Sequence, residues 1–164
     1  MIALNNVLVA TDFSKCGDAA VKYGRELAGH FGTTLHLLHV VEDPYRFGWG
    51  VESVPMLDYD VVEKWQQRAL ADLRADGPGA AGPATVAAAI VGVPVEQILR
   101  YAREHAIGLI VLGTQGRGGV AHAFLGSVAE RVVRRAPCPV LTVHHLQHEF
   151  IREPETVQET AAAR

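Results

Sequence analysis

Residues 109–128 read LIVLGTQGRGGVAHAFLGSV, and the fold follows from how this stretch divides. Leu109-Ile110-Val111-Leu112 is a continuous apolar run, which suits a strand covered on both faces. A glycine-rich loop begins at Gly113, and a helix is predicted from about Ser127 to Arg135. Pro137 and Pro139 stop that helix, and Val140-Leu141-Thr142-Val143 reads as a further strand. Strand, crossover helix and strand in this order are the unit of a parallel sheet.

The same unit recurs toward the N-terminus. Val7-Leu8-Val9-Ala10 is an apolar run, and residues 14–31 follow with helical spacing. Ala20, Gly24, Leu27, Ala28 and Phe31 fall on one helical face, and Gly32 ends the helix. Leu35–Val41 is the second strand. The segment 42–59 carries Pro44, Gly48, Gly50 and Pro55 and reads as a long irregular connection. A helix starts at Asp60, with Glu63 as a capping-box partner and Val62, Trp65, Ala69 and Leu73 as its buried face. The turn-rich segment 77–83 leads to a strand over Thr85–Val91. Pro94 opens the next helix, whose stripe is Val95, Ile98, Leu99 and Ala102, and Gly108 closes it. The resulting βαβαβαβαβ order predicts an α/β fold: a single-domain, open parallel sheet of five strands with helices on both faces. The domain is expected over residues 1–147, with 148–164 as a C-terminal tail that shows no core face.

Composition narrows the function. With 164 residues the chain has the length of one domain. Fifteen basic against eighteen acidic side chains give a net charge of −3, which speaks against broad nucleic-acid binding. No apolar run reaches the roughly 18 residues of a membrane span, and the start lacks the pattern of a signal peptide. Cys16 and Cys138 are too few and too far apart for a disulfide framework, so a cytoplasmic location is expected.

The loop after the fourth strand is the densest chemical signal. It lies at the carboxyl end of a buried strand, where open parallel sheets bind ligands. Its glycines permit close backbone approach, and the helix start beyond it offers unpaired N–H groups suited to phosphate. A plain glycine-rich turn, with Ser127 as N-cap and Glu130 completing a capping box, accounts for the same residues, and both readings stay open on spacing alone. There is no GxxxxGK[ST], and no GxGxxG follows the first strand, so P-loop and dinucleotide-binding sites are unsupported. The first turn, Ala10-Thr11-Asp12-Phe13-Ser14, is short and acidic, which fits a ribose hydroxyl or a metal-bound phosphate.

Several motifs together resemble the universal stress protein family. Gly113, Gly116, Gly126 and Ser127 match the G-x2-G-x9-G-[S/T] pattern of its ATP-binding members. Thr11-Asp12-Phe13-Ser14 resembles its TDFS turn, Leu38-His39-Val40 its LHV, Val91-Gly92-Val93-Pro94 its VGxP, and Pro137-Cys138-Pro139-Val140-Leu141 the approach to its last strand. The match runs in order over about residues 5–144. The resemblance implies a Rossmann-like sheet of the adenine nucleotide alpha-hydrolase type, with strand order 3-2-1-4-5 and a switch point beside Asp12 and Gly113. It implies ATP with Mg²⁺ as cofactors. Asp12 would contact ribose or a phosphate-bound Mg²⁺, with Thr11 beside it. The Val40 backbone would face adenine and Gly113 would lie near ribose. Gly116, Gly126, Ser127 and Val128 would hold the phosphates, and Arg117 and His122 lie in the family's variable spacer. Ala10 departs from the proline common in that first turn. The resemblance also implies a homodimer through the edge of the fifth strand, where Val140, Leu141 and Val143 form an apolar edge.

Other residues have simpler readings. Cys16 and Cys138 read as packing residues. His36 and His39 read as exposed or edge-facing strand residues. His144 and His145 point to opposite strand faces and do not share an ion readily. Arg131, Arg134 and Arg135 form a solvated helix end, favourable to the macrodipole. The function expected is that of an ATP-binding regulatory or stress-response switch without a catalytic residue. Its alternatives are a slow ATP hydrolase and an interaction module selective for AMP or ADP.

Overall fold

The computed structural model describes residues 4–42, 59–75, 82–114 and 125–144. Nine elements alternate along them: β1 (Asn6–Ala10), α1 (Lys15–Phe31), β2 (Leu35–Val41), α2 (Tyr59–Ala75), β3 (Thr85–Val91), α3 (Pro94–Glu104), β4 (Ile107–Gly113), α4 (Ser127–Arg135) and β5 (Val140–Val143). All strand pairs are parallel, and the order is β3-β2-β1-β4-β5. The expected order is therefore the observed one.

The apolar runs are continuous because both sheet faces are covered. Side chains alternate across a strand. Val7 and Val9 join Leu35, Leu37, Val111 and Val143 beneath α1 and α2. Leu8 joins Leu38, Ile110 and Leu112 beneath α3 and α4. Close approach of α1 depends on Gly24, where a Cβ would collide with the Val9 side chain. That helix ends at Gly32, whose left-handed φ of 62° directs its N–H to the carbonyls of Ala28 and Gly29.

Four local expectations change. Phe31, the last residue of α1, is exposed. Trp65 is 46% exposed, while Ala69 and Leu73 of the same helix are buried. Asp60 lies inside the first turn of α2 instead of capping it. Gly108 lies inside β4, and the turn after α3 is made by His105 and by Ala106 at φ 48°. Glycine at 108 admits the incoming N-terminal segment, because a Cβ there would stand 3.0 Å from the Asn5 nitrogen.

His36 is also not an exposed strand residue. It is 6% exposed and hydrogen-bonds through Nδ1 to the Tyr101 hydroxyl at 3.0 Å. The His105 ring stacks near both, with centroids 5.5 Å from His36 and 4.0 Å from Tyr101. Burial, and secondarily His105, lower the His36 pKa, and burial raises that of Tyr101. This cluster sits at the amino end of the strands, away from the glycine loop.

Candidate functional site

β1 and β4 are neighbours, yet their crossovers leave to opposite faces of the sheet. A crevice must open between the connections at their carboxyl ends. It is a cleft of about 1020 Å³, a size that holds small-molecule ligands. Thr11, Asp12 and Phe13 line it from the first turn, His39, Val40 and Glu42 from the end of β2, and Gly113 and Thr114 from β4. Gly126, Ser127 and Val128 line it at the start of α4, with Trp65 and Arg68 of α2 and Pro94 and Ile98 of α3 as further walls.

The start of α4 brings a helix N-terminus to the cleft. Gly126 is the N-cap, with φ −67° and ψ 154°, and among the described residues no side-chain bond caps the helix. The first intrahelical bond runs from the Glu130 N–H to the Gly126 carbonyl. The N–H groups of Ser127, Val128 and Ala129 therefore have no intrahelical acceptor, and all three residues line the cleft. They carry the positive end of the helix dipole. Ser127 is the first helical residue, one position past the cap, so the capping-box reading of Ser127 and Glu130 is not realised. Glu130 instead pairs with Arg134 at 3.0 Å on the exposed surface.

The loop is anchored at both feet. The Thr114 N–H donates to the Val143 carbonyl at 2.8 Å, and the Gly126 N–H donates to the Thr114 carbonyl at 2.6 Å. The Thr114 hydroxyl bonds His144 Nδ1 at 2.8 Å. Thr114 is buried, and nothing in its spacing singled it out. Gly116, Arg117 and His122 lie outside the described residues.

Gly113 has a packing role as well as a place in the cleft. A Cβ on it would stand 2.8 Å from both the carbonyl carbon and the Cβ of Cys16. Glycine there lets the end of β4 touch the first turn of α1, in which Cys16 is buried. Gly17 instead lets α1 lie close to the first turn, since a Cβ there would stand 2.6 Å from Thr11 Oγ1.

The first turn is held by its own side chains. Thr11 Oγ1 accepts from the Phe13 N–H, Asp12 Oδ1 from the Ser14 N–H, and Ser14 Oγ from the Gly17 N–H. Phe13 takes φ 59°, an uncommon conformation for a bulky residue, to make the turn.

At the end of β2 the ladder itself exposes a backbone edge. The Val7 N–H bonds the Thr34 carbonyl and the Thr11 N–H bonds the Leu38 carbonyl, so even-numbered residues of this strand face β1. Odd ones face β3, as in the bond from the Gly92 N–H to the Val41 carbonyl. Val40 therefore points its N–H and C=O toward β1, which has already turned away at Thr11. Among the described residues no bond outside the ladders uses them. His39 donates from Nδ1 to the Thr11 carbonyl at 2.8 Å and lies 4.7 Å from the Phe13 ring. The reading of His39 as an edge residue missed its place in the cleft.

Among the described residues no group of three or more His, Cys, Asp or Glu side chains is placed to hold a metal ion. Nor is any helix there long and apolar enough to cross a membrane. Both cysteines are free thiols, and burial pushes the Cys138 thiol pKa up.

Comparison with known proteins gives a consistent result. The model of the universal stress protein family matches residues 3–144. Universal stress protein MJ0531 of Methanocaldococcus jannaschii is 31% identical over 137 residues, covering 84% of this chain and 80% of the relative. Among solved structures, universal stress protein UspA from Lactobacillus plantarum superposes with a TM-score of 0.74 at 27% identity, over 87% of this chain and 99% of that one. A universal stress protein solved in complex with cAMP has a TM-score of 0.60 and 27% identity, over 88% of this chain and 100% of the other.

Proposed function

Since the chain belongs to the universal stress protein family, we propose that it binds ATP with Mg²⁺ in the cleft at the carboxyl end of its sheet and works as a nucleotide-dependent regulatory protein. The uncapped start of α4 carries this reading. Three N–H groups at the positive end of a helix face a cleft of nucleotide size, and phosphate is their natural acceptor. The cAMP complex of a relative supports an adenine nucleotide as the class of ligand.

In this reading Gly126, Ser127 and Val128 hold the phosphates, with Gly116 and Arg117 of the loop beside them. Gly113, Thr11 and Asp12 lie along the ribose and the inner phosphates, and the Val40 backbone meets the adenine edge. Mg²⁺ fits as an ion carried by the phosphates. Mg²⁺ commonly takes one or two carboxylates together with substrate phosphates and water, and Asp12 supplies one carboxylate where no protein cage exists among the described residues. The metal would neutralise phosphate charge.

The same reading takes the protein as a cytoplasmic homodimer paired through the β5 edge, with residues 148–164 as a tail outside the nucleotide domain. Val143 faces the core beneath α1, so Val140 and Leu141 are left to shape that edge. Donors that bind the ground state do not by themselves speed phosphoryl transfer. Turnover is therefore expected below about 1 per second.

The test is mass spectrometry of the small molecules released on denaturing the purified protein, followed by calorimetry with ATP in the presence and absence of Mg²⁺. ATP recovered near one per chain, and saturable rebinding, are expected. A chain that releases no nucleotide and binds none would end this reading.

A further inference from the structure

In His39 the hydrogen-bonding character of a cleft side chain is set by a backbone carbonyl. Nδ1 lies 2.8 Å from the Thr11 oxygen, which only accepts, so Nδ1 must carry the proton. In the neutral ring Nε2 is then an acceptor. Among the described residues Nε2 has no hydrogen-bond partner, and His39 lines the cleft. Contact with the Phe13 ring holds the imidazole in place.

We propose that His39 is a specificity residue that reads the exocyclic amino group of a 6-aminopurine; this rests on the nucleotide reading above. The phosphates belong at α4, and Asp12, a carboxylate, suits ribose hydroxyls. The remaining end of the cleft, between the β2 end, Phe13 and Trp65, is where a flat base has apolar and aromatic walls. An amino group there has two N–H bonds to place. The Val40 carbonyl can take one, and Nε2 of His39 is the second acceptor on the same strand end. A 6-oxo purine presents an acceptor to both, leaving them unsatisfied and mutually repelling.

The experiment is a titration of the full chain with four triphosphates: ATP, purine riboside triphosphate with no group at C6, ITP, and 2′-deoxy-ATP. The wild type should bind ATP tightest, the 6-H analogue next and ITP weakest. His39→Phe keeps an aromatic ring beside Phe13 and removes the acceptor. It should compress the ATP-to-ITP affinity ratio about tenfold, mainly by weakening ATP. The wild-type ladder of 6-substituents needs no variant, so it stands even if His39→Phe does not fold. A wild type that binds ATP and ITP alike overturns the inference. So does a ratio left unchanged in folded His39→Phe, which would leave the reading of the base to Val40. Equal losses for ATP and ITP in His39→Phe, with no further loss on removing the 2′-hydroxyl, would place the contact on ribose and also overturn it. In these three outcomes ATP still binds, which separates them from failure of the nucleotide reading itself.

Discussion

Two helices begin at the same end of the sheet, beside one cleft, and they treat their first turns oppositely. The start of α1 is closed by its own sequence: Ser14 Oγ accepts from Gly17, Asp12 Oδ1 from Ser14, and Thr11 Oγ1 from Phe13. The start of α4 has a glycine cap, and among the described residues no side-chain cap bond closes it. A Ser, Thr, Asp or Asn cap stabilises a helix by about 1 kcal/mol over Ala, whereas Gly forgoes only a few tenths. Gly126 thus leaves the donors of α4 open at little cost to the helix. The contrast separates a helix start satisfied by its own side chains from one that the proposed function assigns to an anion.

The sharpest way to break the contrast is to close α4 as α1 is closed. Gly126 sits at φ −67°, a conformation open to any residue. Gly126→Asp should place a carboxylate over the N–H groups of the first turn, with folding stability unchanged or slightly raised. ATP affinity should fall by about a hundredfold or more, about 3 kcal/mol. Calorimetry with a parallel urea melt reads both quantities, and full affinity in the folded variant would remove phosphate from α4.

Next in size is Gly113→Val, which attacks the contact between the two regions. Its side chain would run into the backbone of Cys16, so the first turn of α1 must shift. A destabilisation of about 2 kcal/mol is expected. A urea midpoint equal to wild type would show that Gly113 serves the ligand alone.

Ser14→Ala opens α1 and should cost about 1 kcal/mol in stability. ATP affinity should stay within about twofold, a change below 1 kcal/mol, because the donors that α1 exposes are not those that face the phosphates. A tenfold loss of affinity with intact stability would instead make both helix starts part of the site.

The smallest effect belongs to the far end of the strands. The His36 pKa is lowered in the fold by burial and by His105. Folded protein therefore prefers the neutral ring. The unfolded chain takes up a proton as pH drops below about 6.5, so stability falls from there downward until the folded pKa is passed. His36→Phe should flatten that slope in denaturation curves between about pH 7 and about pH 5. A slope identical to wild type would show that other groups set the acid response.

Much of this architecture could be read from residues alone, for an identifiable reason. β2, β3 and β5 fall where apolar runs are bounded by Gly or Pro, and α4 starts at Ser127, as its spacing indicated. Buried parallel strands must be continuously apolar, so their limits are written in composition. Where a glycine had two uses the reading went astray. Gly108 read as the stop after α3, yet it lies within β4 to admit the chain near Asn5. Ser127 read as a cap, and the cap is Gly126.

The chain's own sequence determined the alternation of strands and helices, the two-faced burial of the sheet and the family resemblance, because these depend on local periodicity and on motifs continuous along the chain. Only the tertiary structure decided the rest. The neighbouring of β1 and β4 brings Asp12 and Gly126, more than a hundred residues apart, to one cleft. It sets Gly113 against Cys16, buries His36 against Tyr101, and fixes the His39 proton through a carbonyl 28 positions away. Each is a contact between residues far apart in sequence, and periodicity says which face a side chain takes but not what it meets there.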